Sequence, residues 1–282
     1  MAIAAISRSN RWRVLRRSPT FWVGGFLVLM WVVFAVFGDF VTPYDPLGTP
    51  QDILNRLQPP SSEHWFGTDS LGRDVLSRVL AGARRVLIIS LSATLIGTVF
   101  GTAIGLVIGF YGGILDDAIS RLLDAFLSIP LVITGMLALA ALGPSTLGVI
   151  IVIGLVFTPI IAKTVRAAVL GERQLDYVTA AQLRKENSLY ILFVEILPNV
   201  FSVVIVEFTV RLGYAIFTVL ALSFLGFGVQ PQIPDWGLMI NDHRSELTGN
   251  IWWPVLFPSL AIASLVVGVN LLADAISQAF ER

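Results

Sequence analysis

The chain has 282 residues, of which 55% are hydrophobic and only 13% charged, and its formal net charge is zero. Soluble domains carry about 25% charged residues, so a bilayer must be the solvent for much of this chain. A zero balance offers no basic field to nucleic acid, and the lack of cysteine excludes disulfides, thiolate metal sites and a cysteine nucleophile.

Residues 1–20 form a basic tail holding Arg8, Arg11, Arg13, Arg16 and Arg17. Basic flanks stay in the cytoplasm, which puts the N-terminus inside. The first apolar run, 21–41, exceeds the hydrophobic region of a signal peptide and lacks a small-residue cleavage site, so it reads as a retained helix. Five more apolar runs follow at 86–111, 125–142, 147–169, 200–227 and 254–276. Each must be helical, because an unpaired backbone group in lipid costs several kcal/mol. The reading is an all-α membrane protein of about six transmembrane helices, with both termini cytoplasmic.

Residues 42–85 then lie outside, irregular at first around Pro43, Pro46, Pro59 and Pro60 and amphipathic from Leu71 to Arg85. Arg73, Arg78, Arg84 and Arg85 are on the wrong side for this orientation, and Asp69 and Asp74 stand near them. In the second run Gly97, Gly101, Gly105 and Gly109 recur at every fourth position, a bare helical stripe that lets another helix approach closely. Gly112 and Gly113 break that helix before an amphipathic piece with Asp116, Asp117, Arg121 and Asp124.

Residues 171–197 are expected inside, on a short amphipathic helix from Asp176 to Arg184 whose Ala180 and Ala181 leave a low docking surface. In the fifth run Glu207 and Arg211 share a helix face and can pair, either as a pathway or gating pair or as a self-neutralised pair packed in the bundle. Asn270 and Asp274 share a face of the sixth. Residues 226–253 form the second external loop, where Trp236 and Trp252 are either interface anchors or contacts for a partner. His64 and His243 read as solvated or hydrogen-bonded loop histidines without ligand-like neighbours.

Chemistry is sparse. The only lysines, Lys163 and Lys185, follow no phosphate-cradling glycine loop, and no serine elbow, metal-binding helix pair or dinucleotide fingerprint is present. A non-catalytic chain with no cofactor or metal of its own is expected. An ion-coupled carrier would need midplane carboxylates or broken helices in number, and a membrane-embedded enzyme would need a nucleophile–base or metal set.

The stretch from Asp176 through Thr179-Ala180-Ala181 to Arg184 and Lys185, closing on Glu195-Ile-Leu-Pro-Asn199, resembles the "EAA" loop of binding-protein-dependent ABC importer permeases. Phe66-Gly-Thr-Asp-Ser-Leu-Gly-Arg-Asp-Val-Leu-Ser-Arg78, Tyr111-Gly-Gly-Ile-Leu-Asp-Asp117 with Ile129-Pro130, Leu222-Ser-Phe-Leu-Gly-Phe-Gly-Val-Gln-Pro231 and Pro234-Asp-Trp-Gly-Leu-Met239 are similar to the peptide and nickel branch, as is Leu15-Arg-Arg-Ser-Pro19. That resemblance, to the dipeptide/oligopeptide "C"-type subunit, covers nearly the whole chain. It implies a type I importer permease fold whose five-helix core occupies 86–282. It also implies a coupling loop (Asp176, Tyr177, Thr179, Ala180, Ala181, Arg184, Lys185, Leu197 and Pro198) that docks on an ATPase.

The partners it implies are a homologous second permease, two ATP-binding subunits that hold the ATP and magnesium, and an extracytoplasmic substrate-binding protein met near Pro234, Asp235 and Trp236. The expected cargo is peptide, with nickel or another small solute as the alternative. Two positions depart from the family pattern: its glutamate is Thr179 and its helix-ending glycine is Lys185. A lysine takes the required left-handed backbone at a cost of about 1 kcal/mol. Asn187 is the other residue able to make that turn.

Overall fold

The structure, a computed structural model, describes residues 15–143, 145–227 and 233–281. Arg8, Arg11 and Arg13 of the basic tail, and residues 228–231 of one matched motif, lie outside these. Among the described residues the regular structure is helical, apart from an isolated bridge between Thr68 and Asp74. Among the described residues five helices are long and apolar enough to cross a bilayer, and a pair bent at 85° brings the count to six if it is one broken span.

Helix α1 (Pro19–Val41) starts where Ser18 accepts a hydrogen bond from the Phe21 amide and Pro19 takes the first turn. An arm, residues 42–74, leads to α2 (Val75–Tyr111). At 37 residues α2 is about 55 Å long, far more than a 30 Å hydrocarbon core requires. The amphipathic segment expected within the loop is therefore the first turns of this same helix. Its cap is Asp74, whose carboxylate accepts from the Ser77 amide, and no breaker follows, so the 85/86 boundary falls inside a continuous helix.

The third run is not one straight span. Helix α3 (Gly113–Leu127) and helix α4 (Leu131–Leu142) meet at 85° across Ser128–Pro130. Proline disfavours α geometry in the residue before it, which ends α3. Helix α5 (Thr146–Glu172), capped by Ser145, follows. An apolar groove of about 310 Å³, lined by Phe126, Pro130, Thr134, Val152, Val156 and Ile160 among others, opens between the α3–α4 bend and α5.

After the short α6 (Asp176–Leu183), residues Ser188–Phe224 run as one rod that ends in α7 (Leu197–Phe224). Its first part, Ile191–Ile196, is a π-helical turn. Pro198 supplies the reason: it has no N–H for the usual i−4 carbonyl and its ring clashes there. The turn widens instead, and Leu197 N–H reaches Leu192 O. The short helix α8 (Trp236–His243) precedes α9 (Trp253–Glu281), the last of the long apolar helices.

The glycine stripe finds its partner inside the chain. A Cβ on Gly97, Gly101, Gly105 or Gly109 would sit 2.9 Å from Gly154 O, 2.7 Å from Ile161 Cβ, 2.6 Å from Ala162 O or 2.8 Å from Val169 Cβ, all on α5. α2 and α5 thus touch backbone to backbone along four turns, building the inner core around Phe157, Ile161 and Val165. A second core unites α1, α8, α9 and the N-terminal end of α2 through Trp31, Trp236 and Trp253.

Candidate coupling site and membrane pathway

The arm before α2 is fastened by buried charge. Asp69 accepts from the Leu71 and Arg73 amides at 2.8 and 2.9 Å and from Arg73 Nε at 2.7 Å, while Arg78 Nε stands 3.7 Å away. Arg78 also donates to Pro46 O. Asp74 pairs with His64 Nδ1 at 2.9 Å. Of the four arginines on the wrong side for the expected orientation, Arg73 and Arg78 belong to a buried lock between the arm and α2, where both face the carboxylate of Asp69. Asp69 and Asp74 lie near these arginines in the sequence, but no local pattern says which charge each meets.

The two histidines are not solvated. His64 is 9% and His243 1% exposed, and each is hydrogen-bonded. His243 Nδ1 meets Met239 O at 2.7 Å, so that nitrogen carries the proton and Nε2 accepts from the Ser70 amide at 3.3 Å. This ties α8 to the arm.

Trp236 and Asp235, expected at a contact with the binding protein, are buried to 0% and 2% exposure. The Trp236 indole donates to Val79 O at 2.8 Å and fills the space beside Gly82. Asp235 caps α8, accepting from the Leu238 amide and from Ser223 Oγ. Burial pushes its carboxyl above the usual carboxylate range, against the opposing pull of those hydrogen bonds. Both residues hold the outer loop down, and neither presents a surface. Trp252, by contrast, is 41% exposed.

On the opposite side, α6 is hung between α5 and the π-helical turn. Val178 and Ala181 point inward, fully buried in one cluster with Ile191, Leu192 and Ile196. Ala181 therefore does not form part of a docking surface. The open face carries Thr179, Ala180 and Leu183, the last 79% exposed. Tyr177 donates to Glu172 Oε2 at 2.7 Å. Burial, then that carboxylate, pushes its hydroxyl up to about 12. Arg184 makes exposed contacts with Glu186 and Glu195, and Leu197 and Pro198 open α7.

Lys185 takes the left-handed conformation itself, at φ 59°. Its amide bonds Gln182 O and the Glu186 amide bonds Ala181 O, the double closure of a Schellman end. Asn187 does not take over the turn. Its backbone is extended and its side chain caps the next helix at the Leu189 amide. Lys185→Gly is accordingly expected to stabilise the chain by about 0.5–1 kcal/mol, and Asn187→Ala to cost about 1 kcal/mol through the lost cap. Thermal unfolding of the detergent-solubilised chain checks both signs.

Two long-range contacts fasten α3 to α5: Arg166 donates from Nε and Nη2, one edge of its guanidinium, to the two carboxylate oxygens of Asp116, and Lys163 meets Asp124. Arg173 caps the end of α2 at Gly109 O and Phe110 O. The long-range partners are separated by 39 to 64 residues, which periodicity does not reach.

In α7, Arg211 Nε and Glu207 Oε2 are paired at 2.9 Å, each side chain less than a fifth exposed. The Arg211 guanidinium carbon lies 5.4 Å from the centre of the Tyr214 ring.

Comparison with known proteins accounts for this arrangement. Residues 101–282 match the family described as binding-protein-dependent transport system inner membrane component, and residues 9–60 match the N-terminal TM domain of oligopeptide transport permease C. The chain is 38% identical over 266 residues to a di/tripeptide transport system permease protein of Pseudomonas aeruginosa (strain UCBPP-PA14), covering 92% of this chain and 87% of that one. It is 36% identical over 267 residues to a dipeptide transport system permease protein of Alkalihalophilus pseudofirmus, covering 95% and 87%. It is also 36% identical over 273 residues to a glutathione transport system permease protein of Pectobacterium atrosepticum, covering 96% and 89%. With its apolar helices and these matches along nearly its whole length, the chain belongs to the inner membrane components of binding-protein-dependent transport systems, as a multi-pass permease subunit of an ABC importer.

Proposed function

We propose that this permease passes di- or oligopeptides inward across the membrane, pairing with a homologous second permease to enclose the pathway. The relatives named for dipeptides, di/tripeptides and glutathione, itself a tripeptide, support a short-peptide cargo. ATP and magnesium act on two partner subunits, and the substrate-binding protein delivers cargo from outside. The basic residues Arg16 and Arg17 at the entry of α1 support cytoplasmic termini.

The observation that carries the mechanical part is the mounting of α6. Two side chains, Val178 and Ala181, lock it into the core while Thr179, Ala180 and Leu183 stay open. A helix so held transmits force without folding or unfolding. ATP-driven closure of the partner ATPases against that face would move α5 and α7 together, switching the pathway from outward to inward opening.

Ala180→Trp places bulk on the open face and is expected to reduce binding-protein-stimulated ATP hydrolysis by the assembled importer at least tenfold, with normal membrane insertion. Thr179→Glu, which restores the family residue, should leave it near the starting rate. Unchanged stimulation in Ala180→Trp would remove α6 from the coupling contact.

A further inference from the structure

We propose that Glu207 and Arg211 form a midmembrane site that receives the two charged ends of a short peptide in exchange for each other. The inference rests on the peptide reading above and names where on this chain the cargo is held.

Three observations place the site. Glu207 and Arg211 straddle the middle of the 28-residue α7, where an isolated charge is most costly and where intramembrane ionisable groups mark solute paths. Beside the pair, Tyr214 is 57% exposed, while Glu207 and Arg211 are themselves each less than a fifth exposed. Arg211 leans over the Tyr214 ring on that open side. A charged pair at this depth, at the edge of an open face, is poorly suited to lipid. It suits a polar lumen.

The chemistry follows from spacing. Four residues on a helix rise about 6 Å, and two residues of extended peptide reach at most about 7 Å end to end. A dipeptide lying along α7 can set its ammonium on the Glu207 carboxylate and its carboxylate on the Arg211 guanidinium, the latter by a paired hydrogen-bond fork. One neutral ion pair is replaced by two, so no uncompensated charge enters the low-dielectric region. When the peptide leaves, Arg211 Nε and Glu207 Oε2 rejoin at 2.9 Å. That closure supplies the competition that keeps binding weak enough for release. The pair thereby selects zwitterionic short peptides over peptides capped at either end.

The test uses the complete importer in proteoliposomes, with its binding protein loaded to saturation by dialanine, N-acetyl-dialanine or dialanine amide. Each variant is compared with the unmodified importer on the same peptide, so the binding protein's own preferences cancel. Glu207→Gln and Arg211→Gln are each expected to lower dialanine transported per ATP about tenfold. Glu207→Gln should no longer distinguish dialanine from its N-acetyl form, nor Arg211→Gln dialanine from its amide. A merely structural pair would lower all three peptides alike, and that result overturns the proposal. Because the natural chain has no cysteine, Tyr214→Cys adds a second measurement that needs neither charge variant to fold. A charged thiol reagent is expected to label it, with protection by dialanine. Failure to label overturns the site while leaving peptide transport standing. An unmodified importer that moves none of the three peptides overturns the peptide reading, and this site with it.

Discussion

Gly105→Leu is expected to abolish accumulation of folded chain in the membrane. A Cβ at this position would lie 2.6 Å from Ala162 O, 2.8 Å from Val165 Cβ and 3.0 Å from the Arg166 nitrogen. Two of these three are backbone atoms of α5, which cannot rotate aside as a side chain can. α2 and α5 must separate, and separation also lifts the contacts at Gly101 and Gly109 one turn away. Overpacking a tight site costs about 1–3 kcal/mol and occasionally more. Here the loss spreads along the stripe, because helix association in lipid relies on close packing rather than on a hydrophobic drive. In a solubilised chain that survives, about 3 kcal/mol corresponds to a fall of about 10 °C in the unfolding midpoint. Gly171→Ala is the control: nothing lies within 4 Å of its added Cβ, so it should change little. Thermal aggregation in detergent compares the two. A Gly105→Leu chain that melts with the control would mean that α2 and α5 do not pack as described.

Asp69→Ala is expected to release the outer arm at a cost of about 3–5 kcal/mol, the range for removing one partner of a buried ion pair. The carboxylate is 1% exposed and serves the amides of Leu71 and Arg73 together with the Arg73 side chain. Without it, Arg73 and Arg78, 7% and 2% exposed, hold uncompensated charge in a dry site. The cheapest relaxation is for residues 42–74 to lift off α2 and hydrate both guanidiniums. Limited proteolysis from the outer face should then cut the arm of Asp69→Ala much faster than that of the unmodified protein. Asp69→Asn, which keeps an acceptor for the amides but not the charge, should fall between them. Equal cutting of all three would show that packing of Trp253 and Phe66 holds the arm without the charge lock.

The six apolar runs, the helical class and the glycine stripe were legible because each is a local pattern. A run of about 20 apolar residues has one stable form in lipid, and a four-residue glycine repeat puts bare backbone on one side of any helix. That a left-handed turn ends α6 was legible too, since helix-end geometry involves only neighbouring residues, but the choice between Lys185 and Asn187 was not. The bend between α3 and α4 was half legible: Pro130 marks the break, but its 85° angle depends on what each half packs against.

What the sequence by itself determined is the class of solvent, where the apolar helices lie and which side chains share a helix face. What only the tertiary structure decided is what each face meets. Ala181 and Ala180 are adjacent and alike, yet one is sealed in the core and the other open. Trp236 reads as a surface anchor and lies wholly inside. Arg78 reads as an external charge and is locked against Asp69 and Pro46. The physical reason is that lipid and protein interior are similarly apolar. Hydrophobic patterning therefore loses its contrast between buried and exposed, and only contacts across distant sequence restore it.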